Sequence, residues 1–463
     1  MKPTKFNNLT PEDANLIQKL SEKLDIAVAE RLSKAHEQKF YIETTQGEKQ
    51  MLRIWDAEPC AWFESDTNMY EYVAASGINV SRPISAEPFR EDVIPYQLFT
   101  WLEGEDLIDA LPNMTSTEQF STGIKTGMLM RKLHSLPPDQ DNEVEPWKVR
   151  FERNVQRIIQ SYSNKRGISQ GVDLLVRYLK ENQGWLDSRP QTFTHGDWNT
   201  ENLILTPEGQ IGIIDLSGDK DFGDPWWEFW LTPHDLNSSP HFYMGQIKGY
   251  FMGEPPQEFF RLLSYYMAYS TLEFLDDLVG KGEPESVKCV LNWFDDMRNP
   301  VPSWYYSQVT ATHDDIPEIA GIYRSLIGTP GCTWDEDYPN KETAEHDISN
   351  GWLYALKKQD KIVAVVSIGN FDELGDLEWK SKNPCELARI GVRPELQKNG
   401  IGTLLLLHCF EIAKNQGFDG IRILVAKTNT SALALYEKNG FEQCGEVNRF
   451  DIDFYCYQIA FVE

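Results

Sequence analysis

The segment Phe193-Thr-His-Gly-Asp-Trp-Asn-Thr-Glu-Asn202, with Ile213-Ile-Asp215 beyond it, constrains this chain more than any other stretch. A carboxylate, an amide and a second carboxylate surround an apolar run, Leu203-Ile-Leu205, and a turn signal, Thr206-Pro-Glu-Gly209. The order reads as loop, strand, hairpin and strand, with Asp215 emerging at a strand end. That folding gathers three oxygen-bearing side chains. Phosphoryl transfer needs such a set: one carboxylate orients the attacking hydroxyl, and hard oxygen ligands hold the Mg²⁺ that carries nucleotide phosphates. Asp197 suits the first role; Asn202 and Asp215 suit the second. Asp also occupies turns and strand ends for local reasons, so the joint spacing carries the reading.

The pattern HGDxxxxN, then IID, then Phe222-Gly-Asp-Pro-Trp-Trp-Glu-Phe229 resembles the aminoglycoside phosphotransferases and related small-molecule kinases, over roughly residues 1–303. The resemblance implies a two-lobed protein-kinase-like fold, with one lobe over about 1–100 and the other over about 101–303. It makes Asp197 the catalytic base, Asn202 and Asp215 the Mg²⁺ ligands, and Gly223-Asp224-Pro225 a turn behind the metal loop. Ser239 to Pro256 is similar to a Gram-positive branch of the family.

The first lobe departs from that pattern twice. Phe40 to Trp55 reads as a hairpin around Gln46-Gly47, and the cation aligned with the usual phosphate-gripping lysine is Arg53. Arginine holds phosphate through a planar fork rather than a point charge, and alternation does not settle which face Arg53 occupies. Ser33-Lys-Ala-His-Glu-Gln38 stands where a glycine-rich phosphate loop is expected, and it has no glycine. A helix over Asp66–Ser76 offers Asp66 or Glu71 as the carboxylate that pairs with this cation. Tyr96–Trp101 followed by Leu102-Glu-Gly-Glu105 reads as the hinge holding adenine or guanine, leaving ATP or GTP as the donor.

Far downstream, Glu386 to Thr403 is an apolar strand that enters a glycine-punctuated turn and then a helix, Leu404–Gln416. Free amides at a helix start attract anions, and Gly400 and Gly402 permit close approach. The QxxGxG pattern after Val-Arg-Pro, with Ile423 to Asn429 and Ser431 to Phe441 in order behind it, resembles the GNAT-type N-acetyltransferases. The resemblance implies a mixed α/β domain binding acetyl-CoA. Its diphosphate would lie on Gln397, Lys398, Asn399, Gly400, Ile401, Gly402 and Thr403, with Val392 along the pantetheine arm and Asn429 also touching CoA. Tyr436 would protonate the leaving thiolate, or else pack with Leu433 and Phe441 on an apolar helix face. Glu386 would act as a base through water. Cys385 beside it has no ordered His or Asp partner for thiol catalysis.

Between these regions, a helix over Glu285–Met297 is closed by Arg298-Asn-Pro-Val-Pro302, a short stiff linker. The second unit then spans 304–463, with a strand at Tyr305–Thr310, a helix at Asp315–Ser325 and a hairpin from Trp352–Lys357 to Ile362–Ser367. The expected class is therefore α/β (α+β), a kinase-like fold followed by a GNAT domain. No apolar stretch is long enough to span a membrane and the start is polar, without a signal-peptide core. Seven scattered cysteines without a CxxC pair fit reduced thiols, and the expected location is cytoplasmic.

The net charge of −27 argues against nucleic acid and fits a small cationic or amine-bearing alcohol. From residue 301 onward there are 15 Lys and Arg against 24 Asp and Glu, so most of the acid excess lies earlier. Glu228, Asp235, Glu273, Asp276 and Asp277 are candidates to line a cation pocket there, or to be solvated surface charges. The expected function is a bifunctional O-phosphotransferase and N-acetyltransferase, with antibiotic modification as the sharpest form. Metabolic amino-alcohol chemistry, or a unit that senses nucleotide or acetyl-CoA, are the alternatives.

Overall fold

The computed structural model describes residues 5–32, 38–54, 61–87, 93–137, 145–163, 170–216, 222–231, 239–281, 292, 294, 302, 304–371, 374–377, 379–398 and 400–461. Six strands form the first sheet, in the order Lys5–Asn7, Ile26–Arg31, Gln38–Thr44, Lys49–Ile54, Tyr96–Thr100 and Pro83–Glu87. Its two central strands alternate strictly. Phe40, Ile42, Leu52 and Ile54 are buried against Ile17 and Leu20 of the helix Pro11–Ser21. Successive strand side chains point to opposite faces, so Lys39 and Arg53 share the other face. The glycine-free stretch Ser33–Glu37 lies outside the described residues.

Beneath this sheet stands a helical lobe. The strands Leu203–Leu205 and Ile211–Ile213 pair antiparallel, and Glu105–Asp106 at the end of the hinge joins their edge. Helices Ser116–His134 and Pro240–Phe251 cross at backbone contact because each carries glycine at a spacing of four. A Cβ on Gly123 would come within 2.0 Å of the Phe242 carbonyl oxygen, and one on Gly127 within 2.0 Å of that of Gln246. Gly245 and Gly249 face Phe120 and Ile124 in the same way, at 2.2 Å each. Helices Trp147–Ser163, Gln170–Glu181 and Gln257–Lys281 enclose an aromatic core around Phe151, Tyr265 and Tyr266.

A seven-stranded sheet makes up the rest, ordered Ser307–Thr310, Leu353–Lys358, Lys361–Gly369, Pro384–Val392, Gly420–Ala426, Ile452–Ala460 and Glu442–Arg449. Helices Ile316–Leu326 and Lys341–Ser349 pack Ile319, Ile322, Tyr323 and Ala344 against buried Leu353, Ala355 and Val365. The Lys341–Ser349 helix, started by the Asn340 cap, was not foreseen from periodicity. The anticipated helix at Glu285–Met297 lies almost wholly outside the described residues.

The two regions share one apolar core that runs from Phe120 and Phe242 to Leu404 and Leu405. Tyr305 and the Gln308 amide donate to Glu254 at 2.9 and 3.0 Å, and Thr117 Oγ1 donates to Asn439 Oδ1 at 2.6 Å. Among the described residues, no helix is long and apolar enough to cross a membrane.

Candidate active sites

Asp197 sits half-buried in a loop whose shape is set by buried Glu228. One Glu228 oxygen accepts from the His195 amide at 2.9 Å and the other from the Gly196 amide at 2.7 Å. His134 Nε2 lies 3.1 Å from Glu228 Oε2, and its Nδ1 lies 3.0 Å from the Tyr250 hydroxyl. Burial alone would push the Glu228 carboxyl up. The hydrogen bond and charge of His134, with the bond from the His195 amide, outweigh it and hold the group below its usual range. Glu228 is therefore the buried support of the loop that carries Asp197, and not the solvated surface charge that is one of the two sequence expectations.

The His195 ring continues this support. Its Nδ1 accepts from the Asp197 amide at 3.2 Å, so its proton is on Nε2, which donates to the Ile214 carbonyl at 2.9 Å. The Ile214 amide in turn donates to the Asn202 carbonyl at 3.0 Å. The loop that carries Asp197 and the loop that carries Asp215 are thus tied one residue before Asp215. Asp215 itself has φ of 56°, a left-handed conformation uncommon outside glycine and held here by its surroundings.

Asn202 Nδ2 donates to the Asp197 carbonyl at 2.8 Å and to Asp197 Oδ2 at 3.0 Å, while Asn199 Nδ2 donates to Oδ1 at 3.1 Å. Both partners of the Asn202 amide are acceptors, which fixes its NH₂ toward Asp197 and turns its carbonyl oxygen away. An amide oxygen turned away from Asp197, together with the Asp215 carboxylate, is the donor chemistry that Mg²⁺ takes.

Lys39 is the site residue that sequence reasoning missed. Its Nζ meets Asp215 Oδ2 at 2.6 Å. Lys39 pairs directly with Arg53 across the antiparallel strands, so both cations lie on the sheet face that meets Asp215. The signal was available: in a hairpin whose register is centred on Gln46, Lys39 falls opposite the cation already singled out. Of the two carboxylates considered for pairing with Arg53, Glu71 is exposed and the Asp66 side chain lies outside the described residues.

The other acidic candidates divide. Glu273 accepts from the Tyr269 hydroxyl, whereas Asp235 and the side chains of Asp276 and Asp277 lie outside the described residues. An acidic group that the sequence reading passed over lies by the hinge. Asp106 is exposed by area, yet crowding by protein atoms and then the charges of Asp109, Glu201, Glu105 and Asp215 push its carboxyl up.

In the second region, strands Pro384–Val392 and Gly420–Ala426 pair in parallel over Pro384, Cys385 and Glu386 alone. Beyond that each follows its other neighbour, and the sheet opens between them. Val392 lies at the far end of the opened strand, and its carbonyl accepts from Gln397 Nε2 at 3.1 Å. Lys398 and Gly400 take left-handed φ values of 65° and 77°, and the helix Ile401–Asn415 starts without a side-chain cap. Ile401, Gly402 and Thr403 form its first turn, where helix amides are oriented for an anion. Asn399 is outside the described residues. Asn429 caps the next helix by accepting from the Ala432 amide at 3.1 Å.

Tyr436 is fully buried, and its hydroxyl has no hydrogen-bond partner among the described residues. Burial pushes it far above the ordinary phenol range, with Cys409 adding to the effect. Its ring packs on Phe441 at 5.1 Å, so packing and an orphaned hydroxyl occur together. Glu386 lies instead at the closed end of the opening, buried, where Arg422 Nη2 donates to it at 2.6 Å and the Leu374 amide at 3.1 Å. That pairing commits its carboxylate to the sheet, which corrects its expected role as a base. Burial pushes the neighbouring Cys385 thiol up to about 12, which disfavours the thiolate that nucleophilic attack needs.

A kinase-type loop under a strand lobe, followed by a sheet opened beside a glycine turn, defines a transferase with two catalytic units, a phosphotransferase and an acyltransferase. Residues 28–261 match the phosphotransferase enzyme family, to which the chain belongs, and residues 319–441 match the acetyltransferase (GNAT) family. An L-methionine sulfoximine/L-methionine sulfone acetyltransferase of Pseudomonas paraeruginosa is 25% identical over 142 residues, 29% of this chain and 78% of the relative. A spermidine N(1)-acetyltransferase of Thermoplasma acidophilum is 27% identical over 113 residues, 24% of this chain and 70% of the relative. Among solved structures, the gentamicin complex of APH(2")-IIa is 14% identical, covers 63% of this chain and 99% of its own, and has a TM-score of 0.46. A choline/ethanolamine kinase family protein from Mesorhizobium loti is 15% identical, covers 62% and 94%, and has a TM-score of 0.47.

Proposed function

We propose that the first unit transfers the γ-phosphoryl group of ATP to a hydroxyl of a small, cationic, amine-bearing molecule, and that the second acetylates an amine from acetyl-CoA. The observation that carries the first half is the grip of Asn202 on Asp197, which aims one carboxylate outward while Lys39 holds Asp215 on the facing loop. Asp197 orients the substrate hydroxyl and accepts its proton. Asn202 and Asp215 would hold Mg²⁺, which when bound neutralises phosphate charge. Lys39 and Arg53 face the phosphates from above. The carboxylates of Glu105, Asp106, Asp109 and Glu201 by the hinge favour a cationic substrate.

In the second unit, the turn Gln397–Thr403 seats the CoA diphosphate, Val392 and Asn429 border the opened strands, and Tyr436 returns a proton to the thiolate. The printed activities of the acetyltransferase relatives, on methionine sulfoximine or sulfone and on spermidine, support a small amine as acceptor. Antibiotic modification is the form of this reading in which one polyamine sugar serves both units. The test is Mg²⁺- and ATP-dependent phosphorylation across aminoglycosides and amino alcohols, with Asp197→Ala as control. Turnover no greater than that control on every substrate would sink the kinase half.

A further inference from the structure

The turn that carries the acetyltransferase signature does not face its own unit alone. At Gly400 a Cβ would lie 2.8 Å from His241 Nε2, so the imidazole fills the space a side chain would take. The same position is 4.0 Å from Ser116 Oγ. His241 belongs to the first turn of Pro240–Phe251 and Ser116 begins Ser116–His134. Two phosphotransferase helices thus start beside the start of Ile401–Asn415, and three positive helix ends converge at one point.

Two further observations make this junction unlike an ordinary packing contact. His241 Nδ1 and Ser239 Oγ are both buried without a hydrogen-bond partner among the described residues, and Ser239 is wholly enclosed. The helix begun by Ser239 has no side-chain cap. With Nδ1 shut away from any partner among the described residues, the proton of the neutral imidazole is better placed on Nε2, the nitrogen that lies against Gly400. Lys438 also lies close enough that its charge, after burial, holds the His241 ring below its ordinary range. In a chain of net charge −27, a cation, an imidazole and three helix starts around one glycine turn are the electrostatics of an anion site. Thr117 donating to Asn439 at 2.6 Å pins the two units together next to it.

We propose that the phosphotransferase unit completes the acetyl-CoA site, with His241 donating a hydrogen bond from Nε2 to the diphosphate seated on the Gln397–Thr403 turn. The proposal rests on the acetyl-CoA reading above and goes beyond it by assigning a contact from the other unit. His241 is a binding residue here and has no part in phosphoryl transfer. The acetyltransferase site is then incomplete without the preceding unit.

The test is calorimetric titration of the full chain with CoA and with pantetheine, which lacks the diphosphate. His241→Ala should weaken CoA about ten-fold, the scale of a hydrogen bond to a charged group, and leave pantetheine unchanged. His241→Gln, which keeps an N–H donor, should recover part of the loss. Unchanged CoA affinity in His241→Ala would overturn the proposal. So would tighter CoA binding, which would make the imidazole a plug, or equal losses for both ligands, which would mark a structural role. Failure of the wild-type chain to bind CoA would overturn the acetyl-CoA reading itself, and this proposal with it.

Discussion

Lys39 lies directly opposite Arg53 on the neighbouring strand, and Lys39 is the cation whose ammonium reaches Asp215, at 2.6 Å. The face of the strand lobe that looks onto the metal loop is therefore doubly cationic. Lysine supplies the compact charge and arginine the fork that phosphate groups accept. Lys39→Met should lower kcat/KM for phosphoryl transfer by about a hundred-fold, the usual scale for losing one preorganised charge at a developing anion. Steady-state kinetics on Lys39→Met and Arg53→Met decide the matter. Near wild-type turnover by the Lys39 variant would leave Arg53 as the sole phosphate cation.

Glu228 makes a different kind of contribution, since it touches the catalytic loop from behind. Removing it leaves the His195 and Gly196 amides and His134 Nε2 without their shared partner at once. Glu228→Ala should cost about 3 kcal/mol or more, as leaving several enclosed donors without their acceptor does, and should slow phosphoryl transfer through loss of Asp197 positioning. Its folded pKa is depressed. Its stabilisation is therefore present above the ordinary carboxylate value and fades as pH falls through that range. Denaturant titration of the variant checks the first claim; a wild-type midpoint would show that the loop holds its shape without the carboxylate.

The sequence made the catalytic loop readable because its parts are local. The hairpin, Asn202 and Asp215 follow within a short stretch, and turn residues announce each step. Lys39 was not readable from that stretch, because its contact with Asp215 spans 176 positions and depends on how one lobe sits over the other. Glu228 was misjudged for a related reason: an acidic residue after an aromatic pair looks the same in sequence whether it is buried or solvated. The acetyltransferase turn was legible through glycine, but Glu386 was not, since its partner Arg422 comes from a strand that pairs with it for only three residues. The four glycines of the crossing helices are weak helix formers, and only the crossing shows why they are small.

His408 gives the junction between the units a pH dependence. It is wholly buried against Phe120, with ring centroids 5.8 Å apart, and both ring nitrogens lack hydrogen bonds among the described residues. Burial, then the charge of Lys248, pushes its pKa down to about 4, against the smaller opposing pull of Glu411 and Glu254. The unfolded chain binds this proton near its ordinary value of about 6.5 and the folded chain resists it. The stability is thus complete above about pH 6.5 and drains as pH falls toward about 4. Relative to His408→Met, the wild type should lose about 2–3 kcal/mol between about pH 7.5 and about pH 4.5. Urea unfolding of both proteins at the two pH values measures it, and a constant difference would show that the ring stays solvated.

The crossing of Ser116–His134 with Pro240–Phe251 tolerates no added atom. An alanine Cβ at Gly127 would stand 2.0 Å from the Gln246 carbonyl oxygen, and backbone cannot yield as a side-chain tip does. Alanine is the better helix former by about 1 kcal/mol, so an exposed site would gain from the change. Here steric separation of the helices wins, and Gly127→Ala should destabilise the chain by about 3 kcal/mol or more. Because the same helices carry Phe120 and His241 against the acetyltransferase unit, CoA affinity should fall with stability. Thermal unfolding at or above the wild-type midpoint would mean that the helices cross farther apart.

Tyr436 offers the cleanest separation of catalysis from stability. Its hydroxyl is buried without a partner among the described residues, so it contributes little to the fold and carries the cost of desolvation. Tyr436→Phe keeps the ring on Phe441 and removes only that oxygen. Stability should hold or rise by about 1 kcal/mol. If the same hydroxyl returns a proton to the departing thiolate, acetyl transfer should fall by about a hundred-fold or more while CoA affinity stays put. Unfolding midpoints and single-turnover acetylation, run on the same preparation, separate the two. A loss of stability with unchanged transfer would assign Tyr436 to packing, because the hydroxyl would then serve the fold rather than the sulfur.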